Sequence, residues 1–173
     1  GRMMIYFTMR FGNEQNRLYY VYVNQDFNRI ESIPQILFEY PSGASAIDGD
    51  ITPIWNEERQ KMEYHLFYVA HESGSGIKQA VSDRIDGGYR FDPRWIDFEP
   101  VACEAPNVWK RIGEDKWVLM YDIFGINPHN FGFVETSDFV HFKNLGRFNE
   151  GVMKTTNFRS PKHGAVIHLT QEE

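Results

Sequence analysis

The 173-residue sequence predicts an all-β fold, a β-propeller of four-stranded blades, on three observations. Short runs rich in Tyr, Phe, Val and Ile alternate with Gly, Pro, Asn and Asp, the pattern of strands and turns. No segment sustains a 3.6-residue hydrophobic period over three turns; residues 32–40 come nearest, and Pro34 interrupts them. Several landmarks recur about 57 residues apart, longer than most blade repeats but with room for four strands.

In chain order the expected strands are 4–9, 18–23, 51–55, 64–69, 76–81, 107–110, 117–121, 131–135 and 165–169. Each is short and β-branched or aromatic, as a half-buried pleated surface requires. Val81-Ser82-Asp83 returns as Thr136-Ser137-Asp138 and, more loosely, as Asn24-Gln25-Asp26. Upstream of each of these lies a strand of one kind: Met4-Ile5-Tyr6-Phe7, His65-Leu66-Phe67-Tyr68 and Val118-Leu119-Met120-Tyr121. The opening strands form a third series. Ala46-Ile47-Asp48-Gly49-Asp50-Ile51, Cys103-Glu104-Ala105-Pro106-Asn107-Val108 and Lys162-His163-Gly164-Ala165-Val166-Ile167 place Ile51, Val108 and Val166 in step.

This phase divides the chain into the last three strands of one blade (1–45), two whole blades (46–102 and 103–160) and the first strand of another (161–173). Fewer than four blades do not close a propeller. The expectation is therefore a partial propeller, with the remainder in a longer polypeptide or on a second chain.

Composition excludes several functions. An aromatic content of 16% and a hydrophobic content of 42% exceed what disordered chains carry. A net charge of −6 argues against nucleic acid as a partner, and no apolar run is long enough for a membrane helix. The single cysteine, Cys103, supports neither an intrachain disulfide nor a cysteine zinc cluster, and a buried, inert thiol is expected. No WD-type signature accompanies the repeat, which argues against an interaction module of that kind.

The opening strands are the expected lining of a central channel. Asp48 and Asp50, then Glu104, then His163 stand near the start of successive ones. Carboxylates crowded at one mouth shift each other's proton affinity, so one can donate a proton while another stays charged. Glycoside cleavage needs that division of roles. Glu104, with the longer side chain and Pro106 stiffening the backbone nearby, suits the acid. Aromatic faces near these strands that could stack on sugars are Trp55, Trp95, Trp109, Trp117, Tyr121 and Phe124, and the expected substrate-binding residues are His163, Trp55, Trp109, Tyr121 and Phe124.

These motifs resemble glycoside hydrolase family 43. Ile47-Asp48-Gly49-Asp50-Ile51, Glu104-Ala105-Pro106-Asn107-Val108 and Lys162-His163-Gly164-Ala165-Val166-Ile167 look like its successive signatures. Gly76 to Asp83 with Gly87-Gly88-Tyr89 looks like its second-blade strand and turn. The resemblance implies a five-bladed propeller that cleaves arabinose- or xylose-containing glycosides by inversion. It implies Glu104 as general acid and Asp48 or Asp50 as the residue tuning it. No cofactor is required, but His163 would help hold a structural calcium ion through water. Lys162 stands where the family usually has Arg. The family's base, an Asp on the first blade's opening strand, has no counterpart here, since Asp26 occupies the outer Asp position. The isolated chain is therefore expected to be inactive. The expected partner is an oligosaccharide or polysaccharide, met in the periplasm or outside the cell. The alternative is a carbohydrate-binding or structural propeller without catalysis.

Overall fold

A computed structural model describes residues 2–152 and 159–170. Parts of two expected units, 153–158 and 171–173, lie outside them. The chain is all-β, with three antiparallel sheets. The first contains β1 (Met3–Met9), β2 (Arg17–Val23) and β3 (Gln35–Phe38). The second is a meander of β4 (Ser45–Asn56), β5 (Lys61–His71), β6 (Gly76–Ser82) and β7 (Arg90–Phe91). The third repeats it with β8 (Cys103–Lys110), β9 (Trp117–Ile123), β10 (Asn130–Thr136) and β11 (Lys143–Arg147). A single 3-10 turn, Phe148–Glu150, follows. No helix among the described residues is long and apolar enough to cross a membrane.

The period-2 alternation of β5 explains how the sheets stack. Leu66, Tyr68 and Ala70 face the first sheet and join Leu18, Tyr20, Leu37 and Phe38 in one core. Phe67 and Val69 face the other way and join Leu119, Tyr121, Ile123 and Val134 of the third sheet in a second. A strand buried on both faces reads as a continuous apolar run, as residues 66–70 do. The outer face of the third sheet carries a third cluster, Val118, Met120, Phe133 and Phe148, with Val166 against it.

One strand is added to the expected ones and one expectation is corrected. Residues 35–38, in the stretch nearest to a helical pattern, form β3 against β2. Residues 165–169, expected as a strand, form no ladder among the described residues. Their hold on the fold is a side-chain bond instead, the Val166 N–H donating to Asn107 Oδ1 at 2.8 Å.

The repeat also recurs in backbone geometry. Asp48, Ala105 and His163 all adopt left-handed conformations, with φ of 52°, 51° and 48°. A β-bulge interrupts the β4–β5 ladder between Ile47 and Asp50, and another interrupts β8–β9 between Glu104 and Asn107. Left-handed non-glycine residues cost roughly 1–3 kcal/mol each, and bulges redirect side chains. The same costly turn at equivalent places marks where each opening strand is bent.

Candidate active site

The bent openings of β4 and β8 and the segment 162–164 lie at one end of the sheets. The backbone at each bend is tied to the preceding sheet. The Asp48 N–H donates to Thr8 Oγ1 at 3.2 Å, the Ala105 N–H to Asp48 Oδ2 at 3.3 Å and the His163 N–H to Asp122 Oδ2 at 3.2 Å. A second tier lies three residues further on. The Ile51 N–H donates to the Tyr6 hydroxyl at 3.4 Å and the Val108 N–H to Asp50 Oδ2 at 2.6 Å; the Val166 bond to Asn107 completes it.

These ties set the register of the repeat. Asp48, Ala105 and His163 are equivalent, as are Asp50, Asn107 and Ala165, so Glu104 falls one residue earlier than Asp48. The carboxylates near the start of the opening strands thus do not share one repeat position. They converge through adjacent sheets.

Glu104 is the centre of the group. Its Oε1 lies 2.9 Å from the Lys162 ammonium and 3.2 Å from His163 Nε2. Across the ladder it pairs with Asp122 of β9. One ligand atom each of Glu104, Asp122 and His163 lie within 4.8 Å of one another. Asp122 is fully buried, and its Oδ1 has no hydrogen-bond partner among the described residues. Burial pushes the Asp122 carboxyl above the usual carboxylate range, and the charge of Glu104 adds to the rise; the His163 N–H opposes both. Sequence reading missed Asp122. The available signal was a carboxylate inside the otherwise apolar strand Trp117–Ile123.

The two other aspartates separate by environment. Burial raises Asp48, the Ala105 N–H lowers it and the charge of Glu104 raises it further. Burial pushes Asp50 up to about 6, opposed only by the Val108 N–H. Asp48 is thus electrostatically joined to Glu104, whereas Asp50 is a clamp between sheets, the role an amide performs at Asn107.

The aromatic candidates divide in the same way. Phe124 belongs to this end, with the Lys162 ammonium 5.6 Å from its ring. Trp55 stands seven residues beyond Asp48 on β4, roughly 20 Å away at the strand's rise, and Trp109 five beyond Glu104, about 15 Å. Both line a cleft of about 930 Å³ at the far end of the sheets, which contains none of Asp48, Glu104, Asp122 or His163. Tyr121 is fully buried, its hydroxyl accepting the Phe98 N–H at 3.5 Å. Trp55 and Trp109 are therefore not beside Glu104, and Tyr121 presents no surface to a ligand. Cys103 is buried too, and burial, then the charge of Asp97, push its thiol far up, leaving it no role as a nucleophile.

Comparison with known proteins bears on the fold and the family. No curated protein matches the chain. Among solved structures, a thermostable family-43 glycoside hydrolase superposes with a TM-score of 0.56 at 14% identity, over 83% of this chain and 50% of that one. Zg3597, a family 117 glycoside hydrolase produced by the marine bacterium Zobellia galactanivorans, gives 0.57 at 16%, over 83% and 51%. An endo-1,4-beta-xylanase from Bacteroides thetaiotaomicron VPI-5482 gives 0.52 at 13%, over 86% and 56%. The chain spans about half the length of these proteins, and at such identities the likeness establishes the propeller fold alone. A family-43-related family, described as a probable glycosyl hydrolase domain, matches residues 1–173, and the chain belongs to it.

Proposed function

We propose that this chain is part of a glycosidase that cleaves arabinose- or xylose-containing glycosides by inversion, with Glu104 as general acid. The observation that carries the reading is the convergence of Glu104, Asp48 and Asp122 from two sheets on one half-exposed histidine. Glu104 would protonate the departing glycosidic oxygen. Asp48, whose own carboxyl is raised in part by the charge of Glu104, takes the role of the residue that tunes it. The water-activating base lies outside these residues. Asp122 does not replace it: one of its oxygens is within 4.8 Å of Glu104, closer than the roughly 6.5–9.5 Å that leaves room for a water in inverting enzymes, and it is sealed from solvent.

The donor set also suits a hard cation, which prefers carboxylate oxygens and water. Asp122 Oδ1, buried and without a hydrogen-bond partner among the described residues, and His163 are the groups that would hold one. Such an ion would offset the negative charge gathered by Glu104 and Asp122. The substrate is met in the periplasm or outside the cell.

Two substitutions in the complete protein test the roles. Glu104→Gln should lower kcat by about 10²–10⁴-fold on substrates with poor leaving groups and far less on activated aryl glycosides, which need no proton. An equal loss on both would refute the acid role. Asp48→Asn should move the alkaline limb of the rate profile to lower pH, and an unmoved limb would remove Asp48 from the tuning role. A second reading, sugar binding without cleavage, is favoured by one contact. Lys162 occupies the oxygen of Glu104, and an arriving glycosidic oxygen must displace it before a proton can be delivered.

A further inference from the structure

Near the Glu104 group, at the same end of the second sheet, lies a cleft of about 430 Å³ lined by the turn into β6 and the segment 95–102 that leads into β8. Its position follows from the ladders. Ala46 pairs with Ala70 and Ala70 with Gly76, so the start of β6 is level with the start of β4. The Cys103 N–H donates to the Ser75 carbonyl at 2.9 Å, and the Ser75 hydroxyl to the Cys103 carbonyl at 3.1 Å. The cleft wall is thereby fastened to the residue preceding Glu104.

Trp95 is the main apolar surface of this cleft, and 43% of it is exposed. Its inner side is fixed. A Cβ on Gly76 would come within 2.9 Å of the indole, so the ring packs directly on backbone there. The Lys78 ammonium lies 4.3 Å from the ring and is itself buried. That ammonium bonds to the Tyr40 hydroxyl at 2.9 Å, the Pro93 carbonyl at 2.9 Å and Glu72 at 3.2 Å, which uses its three donors. The indole is held from beneath by groups with no further task, and its exposed surface is shared between this cleft and a neighbouring one lined by Phe98, Val140 and Phe142.

The opposite chemistry is also present. Asp97 and Glu99 line the cleft, each oriented by other contacts. Asp97 Oδ2 accepts the Ile77 N–H at 2.7 Å, and Glu99 is held by Arg147 through both oxygens, at 2.6 and 3.2 Å. Carboxylate oxygens have several lone pairs, so these can still accept from hydroxyls. A fixed tryptophan surface beside preoriented acceptors suits a ring that is apolar on its face and hydroxylated at its edge. The acidic residues disfavour an anionic ring.

We propose that the cleft over Trp95 is an accessory subsite for one neutral sugar unit of an oligosaccharide whose reacting unit lies at Glu104. The proposal rests on the glycosidase reading for the second half of that statement, and the test keeps the two parts separate. Linear xylohexaose and arabinohexaose are titrated by calorimetry into the 173-residue chain and its variants, with circular dichroism confirming equal fold. Trp95→Ala should weaken binding by about tenfold or more, the size of one lost aromatic contact and its buried area. Trp95→Tyr should retain it within a few fold, and Glu104→Gln should leave the Trp95 dependence intact. Oligogalacturonate should not compete. Binding unaffected by Trp95→Ala, binding of neither hexasaccharide, or competition by the anionic sugar would each overturn the subsite. Trp95-dependent binding in a complete protein that hydrolyses no glycoside would leave the subsite standing and overturn the glycosidase reading.

Discussion

Asp50 illustrates how one carboxylate can be read in two ways. In sequence it stands two residues from Asp48 in a symmetric Asp-Gly-Asp motif, and either could serve Glu104. In the fold its partner is a backbone N–H of the next sheet, and Asn107 accepts the corresponding N–H of Val166. Its carboxyl is pushed up to about 6 by burial. A native-state value above the unfolded one means that the folded form holds the proton more tightly. Stability therefore falls as pH rises from about 4 to about 6 and stays lower above that, by up to about 3 kcal/mol for a two-unit shift. Asp50→Asn removes the buried charge and keeps an acceptor. The variant should gain stability over the parent as pH rises through this window, read as the difference in Tm between pH 4 and pH 7. An equal difference at both pH values would show that the charge has no such cost.

The strand pair β9–β10 shows why Tyr121, an aromatic candidate in sequence, is buried in the fold. Gly132 pairs directly with Tyr121. A Cβ on Gly132 would lie 2.3 Å from the Tyr121 ring, so the tyrosine covers the glycine and fills the space its missing side chain leaves. Gly132→Ala forces the ring out of a close-packed position. The expected loss is about 1–3 kcal/mol, measured as a lower urea midpoint with an unchanged slope. No change in midpoint would mean that the third sheet can accommodate the methyl group. The tryptophans teach the same lesson along the strand. Trp55 and Trp109 share their strands with Asp48 and Glu104, but a strand rises about 3.3 Å per residue, and five to seven residues carry them to the opposite end.

Across the whole molecule, three stacked sheets bring a histidine and three carboxylates together at one end, while the solved relatives are about twice as long. A propeller site is shared among blades, so its function depends on all of them. We expect the 173 residues alone to show no turnover of aryl arabinofuranosides or xylosides above the uncatalysed rate. Measurable turnover abolished by Glu104→Gln would place the base within this chain and refute that expectation. The intersheet ties at the bent openings hold each sheet to its neighbour independently of any substrate.

The all-β class, the repeat near 57 residues and the candidacy of Glu104 and His163 were legible in the sequence. Strand periodicity and repeat phase are properties of the chain read locally, and they survive without coordinates. Tertiary structure alone decided that Asp48 rather than Asp50 faces Glu104, that Asp122 joins them, and that Trp95 rather than Trp55 or Trp109 lies beside the site. The physical reason is the bend at each opening strand. A left-handed residue and a bulge turn neighbouring side chains to different places, and no spacing rule along the chain specifies which side chain will meet the next sheet.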